Sequence, residues 1–175
     1  LSYGGHLSHG SPFNRSGKYY KVIPYLVNKK TGRIDYDEIR TQMKECQPKM
    51  VIGGASAYPW EIEWKKFREI IDEVAPGAML MADISHVAGL VVAGLFPNPI
   101  EYADAVTMTT HKTLLGPRSA IILTTDPNKA RRINTAVFPG EQGGPHINTI
   151  GAMAVCFKLA ATEEFRAVQQ RIVEN

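Results

Sequence analysis

Apolar positions along this chain fall into two alternating rhythms. Met50-Val51-Ile52, Met79-Leu80-Met81-Ala82, Ala105-Val106-Thr107-Met108-Thr109 and Ala120-Ile121-Ile122-Leu123 are short apolar runs of strand length. Between the first two, Trp64, Phe67, Ile70, Ile71 and Val74 recur at helical spacing until Pro76-Gly77 stops them. Asp35 with Glu38 three residues on resembles a capping box, and Ile39, Met43 and Cys46 then share one helical face up to Pro48. Aromatic and β-branched residues over Tyr19–Val27 predict a further strand, with Pro24 suggesting an edge, followed by a turn over Asn28–Gly32. From about Asn148 the chain reads as helix, and Glu163–Asn175 is again helix-like. Strands alternating with amphipathic helices predict an α/β fold: a mainly parallel sheet flanked by helices. In such sheets ligands sit beyond the carboxyl ends of the strands. That directs attention to Gly53 to Ser56, Asp83 to His86, and Thr109 to Lys112.

Composition narrows the class. The 175 residues are 44% apolar and 21% charged, which excludes a wholly disordered chain and is enough for one domain with a core. No apolar run of about 18 residues is present, so no membrane partner is expected. The formal charge is +3 with basic residues scattered, so no nucleic-acid partner is expected either. Cys46 and Cys156 cannot make a disulfide framework; both read as small buried apolar residues, and a reducing, cytoplasmic setting is the expectation. Both ends look cut, with no initial Met and no stop signal after the last helix. The expectation is an ordered piece of a longer protein.

Three motif-like stretches carry no chemistry. The Gly-Lys near Tyr19 has the wrong spacing for a phosphate loop, Gly54 to Tyr58 lacks the second Gly of a nucleophile elbow, and Asn14-Arg15-Ser16 is a sequon without a use. The histidines offer two readings. His6, His9, Asp83, His86 and His111 would suit zinc or iron in a metal-dependent hydrolase, or they hydrogen-bond locally and do nothing more. Lys112 adds a third. A lysine just past an apolar strand is costly unless used, and desolvation makes it a nucleophilic amine able to form a Schiff base. Asp83, ending another strand, needs a cationic partner, and a protonated pyridine nitrogen would serve. Lysine for the aldehyde and aspartate for the pyridinium are the two groups pyridoxal phosphate requires.

Four segments carry a resemblance. Gly4-Gly5-His6-Leu7-Ser8-His9-Gly10, Asp83-Ile84-Ser85-His86-Val87-Ala88-Gly89-Leu90, Thr109-Thr110-His111-Lys112-Thr113-Leu114 and Gly140-Glu141-Gln142-Gly143-Gly144-Pro145 closely resemble serine hydroxymethyltransferase in content, order and separation. The resemblance covers essentially the whole chain. It implies the large domain of fold-type I transferases that use pyridoxal 5'-phosphate, with residues 1–175 as part of that domain. It also implies transfer of a one-carbon unit between serine and tetrahydrofolate, leaving glycine. By the same resemblance Lys112 would carry the cofactor as a Schiff base, Asp83 would pair with its ring nitrogen, and His6 would stack on the ring. Ser56 and His86 would lie near the ring hydroxyl and the Schiff base. Thr109, His111 and Arg118 would hold the lysine loop, with His111 and His6 counted among the catalytic residues. Leu1, Gly5, His6 and Leu7 would border the folate. Gly143 and Gly144 would offer backbone amides, as an anion nest, to the cofactor phosphate of a neighbouring subunit, since a homodimer is implied.

Departures from the family pattern matter too. The Ser/Gly phosphate loop and the Glu and Tyr of proton transfer would precede Leu1, and the Arg for the substrate carboxylate would follow Asn175 in a small domain. Met108 stands where a Thr is often found, and Ser119-Ala120 where Gly-Gly or Ala-Gly is usual; both are expected to be tolerated, with Ser119 the one that could crowd the loop after Arg118. The 175 residues alone are therefore expected to turn over negligibly. The competing readings are an inert structural piece and the metal-dependent hydrolase. Lys129, Arg131 and Arg132 read as a solvated helix face.

Overall fold

The computed structural model describes residues 4–175, so Leu1 lies outside the described residues. The chain divides into two compact units, residues up to Met81 and Ala82–Asn175, with the division falling within one strand. Each unit is described in turn.

In the first unit, α1 (Arg15–Tyr19) opens with Asn14 accepting from the Ser16 amide, and α2 (Tyr36–Cys46) opens with Asp35 accepting from the Glu38 amide. The Asp35 carboxyl lies below the usual carboxylate range, because it receives the Glu38 amide and then the Asn28 side chain. Strand β1 (Met50–Gly53) and helix α3 (Trp64–Val74) follow. The apolar stripe of α3 does what its spacing implies: Phe67, Ile70 and Ile71 are fully buried, against Ile39 of α2 among the core residues. Phe67 sits in an aromatic cluster, its ring 5.3 Å from Tyr36, 5.8 Å from Tyr25 and 6.4 Å from Trp64. Burial pushes the Tyr36 phenol up to about 12.

The expected strand over Tyr19–Val27 does not form. Tyr19 ends α1, and the only pairing is an isolated bridge from Val27 to Ile34. Propensity alone cannot make a strand without a partner, and Pro24 offers no amide for one. Tyr19 and Tyr20 are exposed, and the segment is anchored instead by the Tyr25 hydroxyl, which donates to Ile52 O at 2.9 Å.

Strand β2 (Met79–Asp83) begins in the first unit, where Met79 N donates to Lys49 O, and ends in the second, where Ile84 N donates to Thr107 O. With β3 (Ala105–Thr109) next to β2, the sheet is mostly parallel. The four strands are ordered β1-β2-β3-β4, and β4 (Ala120–Leu123) pairs antiparallel with β3, Val106 opposite Leu123 and Thr109 opposite Ala120. The fold is α/β with a mostly parallel sheet, as the alternation of patterns predicts. Met108 is buried in β3, and the Ser119 carbonyl accepts from Thr110 N at 3.0 Å, extending the β3–β4 ladder by one step.

The second unit adds α4 (Ala88–Val92), α5 (Pro127–Thr135), α6 (Ile147–Ala160) and α7 (Glu163–Glu174). The helical reading from Asn148 holds, but as two helices. Thr162 accepts from the Phe165 amide and restarts the chain as α7. Lys129 is not merely a solvated residue of α5, because it reaches Asp104 at 2.7 Å and Asp126 at 3.3 Å. Cys156 of α6 is buried as expected, whereas Cys46 is half-exposed because it closes the last turn of α2. Among the described residues, no helix is long and apolar enough to cross a membrane.

Candidate active site

The second unit gathers most of the chemistry that the strand ends suggest. Asp83 is the last residue of β2, and the chain turns there because Ser85 folds back on it: Ser85 N and Ser85 Oγ both donate to Asp83 Oδ1, at 3.0 and 2.6 Å. Ser85 also joins the neighbouring strand end. Thr109 N donates to Ser85 Oγ at 3.1 Å, and Thr109 Oγ1 donates to Ser85 O at 3.3 Å. Thr109, three residues before Lys112, thus braces the aspartate turn.

Three residues past β3, Lys112 is half-buried with Nζ 3.0 Å from His86 Nε2. An ammonium donates to that nitrogen when the ring nitrogen carries no proton. Two residues expected from separate motifs are therefore in direct contact. His111 is half-buried, and its Nδ1 is buried without a partner. Arg118 is exposed, and the hydrogen bonds shown on the lysine loop come from other residues.

Thr113 supplies the first of them. Its Oγ1 donates to His86 O at 2.7 Å and accepts from Gly89 N at 3.0 Å. Val87 is the N-cap of helix α4 and its side chain cannot cap, so Thr113, 24 residues beyond Gly89, performs the capping. Gln169 of α7, fully buried, donates from Nε2 to Thr113 O at 2.7 Å. Cys156 Sγ of α6 donates to Leu114 O at 3.4 Å, and burial raises its thiol. Fully buried Thr110 donates to Pro117 O, and Gly116 N returns to Thr110 O at 2.7 Å. Space is scarce here. A Cβ on Gly89 would stand 2.2 Å from Thr113 O and 2.7 Å from Gln169 Oε1. Thr110, Thr113, Ser85 and Gln169 were not expected from sequence. For Gln169 a signal exists, since it follows Phe165 by four residues on the buried stripe of α7, where a polar residue needs a reason.

In the first unit, Ser56 N and Ala57 N both donate to Gly4 O, at 2.7 and 3.0 Å, while the Ser56 Oγ is buried without a partner. Gly4 has φ +94, and a Cβ there would meet the Ala57 carbonyl at 2.9 Å, so glycine is required. His6 is exposed, its Nδ1 2.7 Å from Ser8 Oγ, with its ring edge-on to His9 at 6.0 Å. Gly5 is half-buried and Leu7 exposed in the same loop.

Gly143 and Gly144 lie in an exposed loop, and neither has a positive φ. A nest needs a left-handed residue beside a right-handed one, so the expected nest geometry is not formed there. Among the described residues, no group of three or more His, Cys, Asp or Glu side chains is gathered as metal ligands. The histidine–aspartate set of the metal reading is not assembled as one.

Comparison with known proteins agrees with the motifs. The family model described as serine hydroxymethyltransferase matches residues 1–175. A curated serine hydroxymethyltransferase from Methanosarcina barkeri (strain Fusaro) is 57% identical over 175 residues, covering 100% of this chain and 42% of the relative. The chain thus spans less than half the length of that relative. With its fold, its lysine and aspartate strand ends and this match over every residue, the chain belongs to the serine hydroxymethyltransferase family.

Proposed function

We propose that the protein to which this chain belongs moves a one-carbon unit reversibly between serine and tetrahydrofolate, with pyridoxal phosphate held by Lys112. The observation that carries the reading is the Lys112 amine 3.0 Å from His86 Nε2, in the same unit as the Asp83 carboxylate. The donor set suits the cofactor. Lys112 is a half-buried amine for an aldehyde, Asp83 a carboxylate for a pyridinium, and His111 Nδ1 a buried polar atom still without a partner. The chemistry supplied when the cofactor is bound is an electron-withdrawing ring that stabilises negative charge at an amino acid's Cα.

The chain's own residues do the rest by holding and orienting. Ser85 fixes Asp83 through two donors to Oδ1, holding in place the carboxylate that would pair with a protonated ring nitrogen were the cofactor bound. His86 accepts a proton from Lys112 Nζ, or returns one, without either side chain moving far. Ser56 Oγ offers an unused hydroxyl. His6 supplies a ring face, and Leu1, Gly5, His6 and Leu7 border the folate. Arg118 and Thr109 support the loops around the site, and Gly143 and Gly144 meet the phosphate of a partner subunit through exposed backbone amides without a preformed nest, in a homodimer working in the cytoplasm. The substrate carboxylate clamp and the main phosphate loop belong to other parts of the protein, so the 175 residues alone turn over negligibly.

The test is an absorption spectrum after adding pyridoxal phosphate, then borohydride reduction and peptide mapping. A yellow colour that borohydride discharges, with the reduced adduct mapped to Lys112 and lost in Lys112→Ala, is the expected result. Reduction products scattered over surface lysines would overturn the assignment of a cofactor pocket to these residues.

A further inference from the structure

We propose that Gln169 is a positioning residue for Lys112, holding the backbone from which the amine is presented to His86. The geometry is a relay of three hydrogen bonds. Gln169 Nε2 donates to the carbonyl of Thr113, the residue next to Lys112; Thr113 Oγ1 donates to the carbonyl of His86; and His86 Nε2 meets Lys112 Nζ. The chain thus closes on itself around one peptide unit. Gln169 is fully buried and comes from a helix whose other inward residue, Phe165, is apolar. A buried amide at a core position is costly unless its donor is used, and the donor is used on this loop alone. Gln169 Oε1 has no partner, so the side chain gives up one satisfied group in order to spend its amide on Thr113. Gly89 supplies the room: any Cβ there would press on both Thr113 O and Gln169 Oε1. The Lys112 loop is otherwise tense, with Leu115 at φ 62, a left-handed conformation that leucine adopts only under constraint.

Without the Gln169 bond, the carbonyl of half-buried Thr113 loses the donor that holds it from α7. The loop then turns to find one, and Lys112 leaves His86. The inference rests on the reading of Lys112 as the cofactor lysine, but its test does not use the cofactor. Amine acylation of the full chain, followed by peptide mass spectrometry, gives the rate at Lys112 relative to exposed Lys65. In Gln169→Met, which keeps the length and removes the donor, that ratio is expected to rise about fivefold to tenfold, the scale on which one buried hydrogen bond acts. Gln169→Glu supplies a signature that simple loss of packing lacks. A neutral carboxyl can donate to Thr113 O and a carboxylate cannot, so the ratio is expected to stay native at low pH and rise with pH. Phe165→Leu, on the same buried stripe, is expected to lower stability while leaving the ratio native. The inference is overturned if Gln169→Met leaves the ratio native, if the Gln169→Glu ratio ignores pH, or if Phe165→Leu releases Lys112 equally. Should pyridoxal phosphate attach elsewhere while the ratio responds as described, the cofactor reading fails and the Gln169 relay stands.

Discussion

Replacing Thr113 by valine keeps the β-branched shape and removes one oxygen, and that oxygen serves two partners. Oγ1 caps α4 by accepting from Gly89 N at 3.0 Å, in place of Val87, which makes no side-chain cap. Loss of an N-cap costs about 1 kcal/mol. The same oxygen donates to His86 O at 2.7 Å, and losing one such bond costs about another 1 kcal/mol. Gly89 is buried, so its amide has no ready access to water once the cap is gone, which pushes the sum above about 2 kcal/mol. Native-state hydrogen exchange read at the Gly89 amide isolates the effect from global unfolding. A loss of about 2 kcal/mol corresponds to protection lower by roughly 30-fold at that amide. The melting temperature should fall by about 4–8 °C for a chain of this size. Gly89 protection that stays within about twofold of native would refute the cross-chain cap, because a cap of typical strength is worth more than that.

Gly89→Ala is expected to disturb the same loop sterically, since its new methyl would lie 2.2 Å from the Thr113 carbonyl; Lys112 acylation relative to Lys65 should change even where circular dichroism does not. Phe67→Ala empties the centre of the aromatic cluster in the first unit and should cost about 3–5 kcal/mol in denaturant unfolding. Asp35 has a folded-state carboxyl below its ordinary range, held by the Glu38 amide first and the Asn28 side chain second. Its contribution is therefore complete above the ordinary range and is lost as pH falls through the lower folded value. An acid titration of α2 helicity should show this loss, and Asp35→Asn should flatten it. Lys129→Met strips the cation from Asp104, whose side chain is only 15% exposed, and should cost about 1 kcal/mol by thermal melting.

Much of this architecture is local, and local features are legible. The stripe of α3, the apolar runs of β1 to β3 and the Asp35 cap each follow from residues within one turn or one strand of each other. The failures have physical reasons. Tyr19–Val27 has strand-forming residues but no neighbouring strand, and pairing is a property of two segments. Helix α4 lacks a capping residue of its own, so its start could not be read from Val87-Ala88-Gly89; the cap arrives from Thr113. Helix α1 is only five residues long, too short for a periodic apolar stripe, and its one local signal is Asn14, the N-cap, which also forms the sequon. At the site, Lys112 and Asp83 were legible because strand ends in parallel sheets are where ligands bind. Gln169 shows only as a polar residue on the apolar stripe of α7, and neither it nor Cys156 discloses its target, because they reach the lysine loop across 56 and 42 residues of chain.

That separation has a consequence in time. A chain made from its N-terminus releases Lys112 long before Gln169, and at typical synthesis rates of about 5–20 residues per second the interval is several seconds. Throughout that interval the strand end and the histidine can already exist, while the carbonyl beside the lysine has no donor from α7. The lysine becomes set in place only when the helix that holds it from behind has emerged and docked. The reactive amine is thus among the last groups of the second unit to be fixed, and the nascent chain presents it in its final pose only once the surrounding layers are already built.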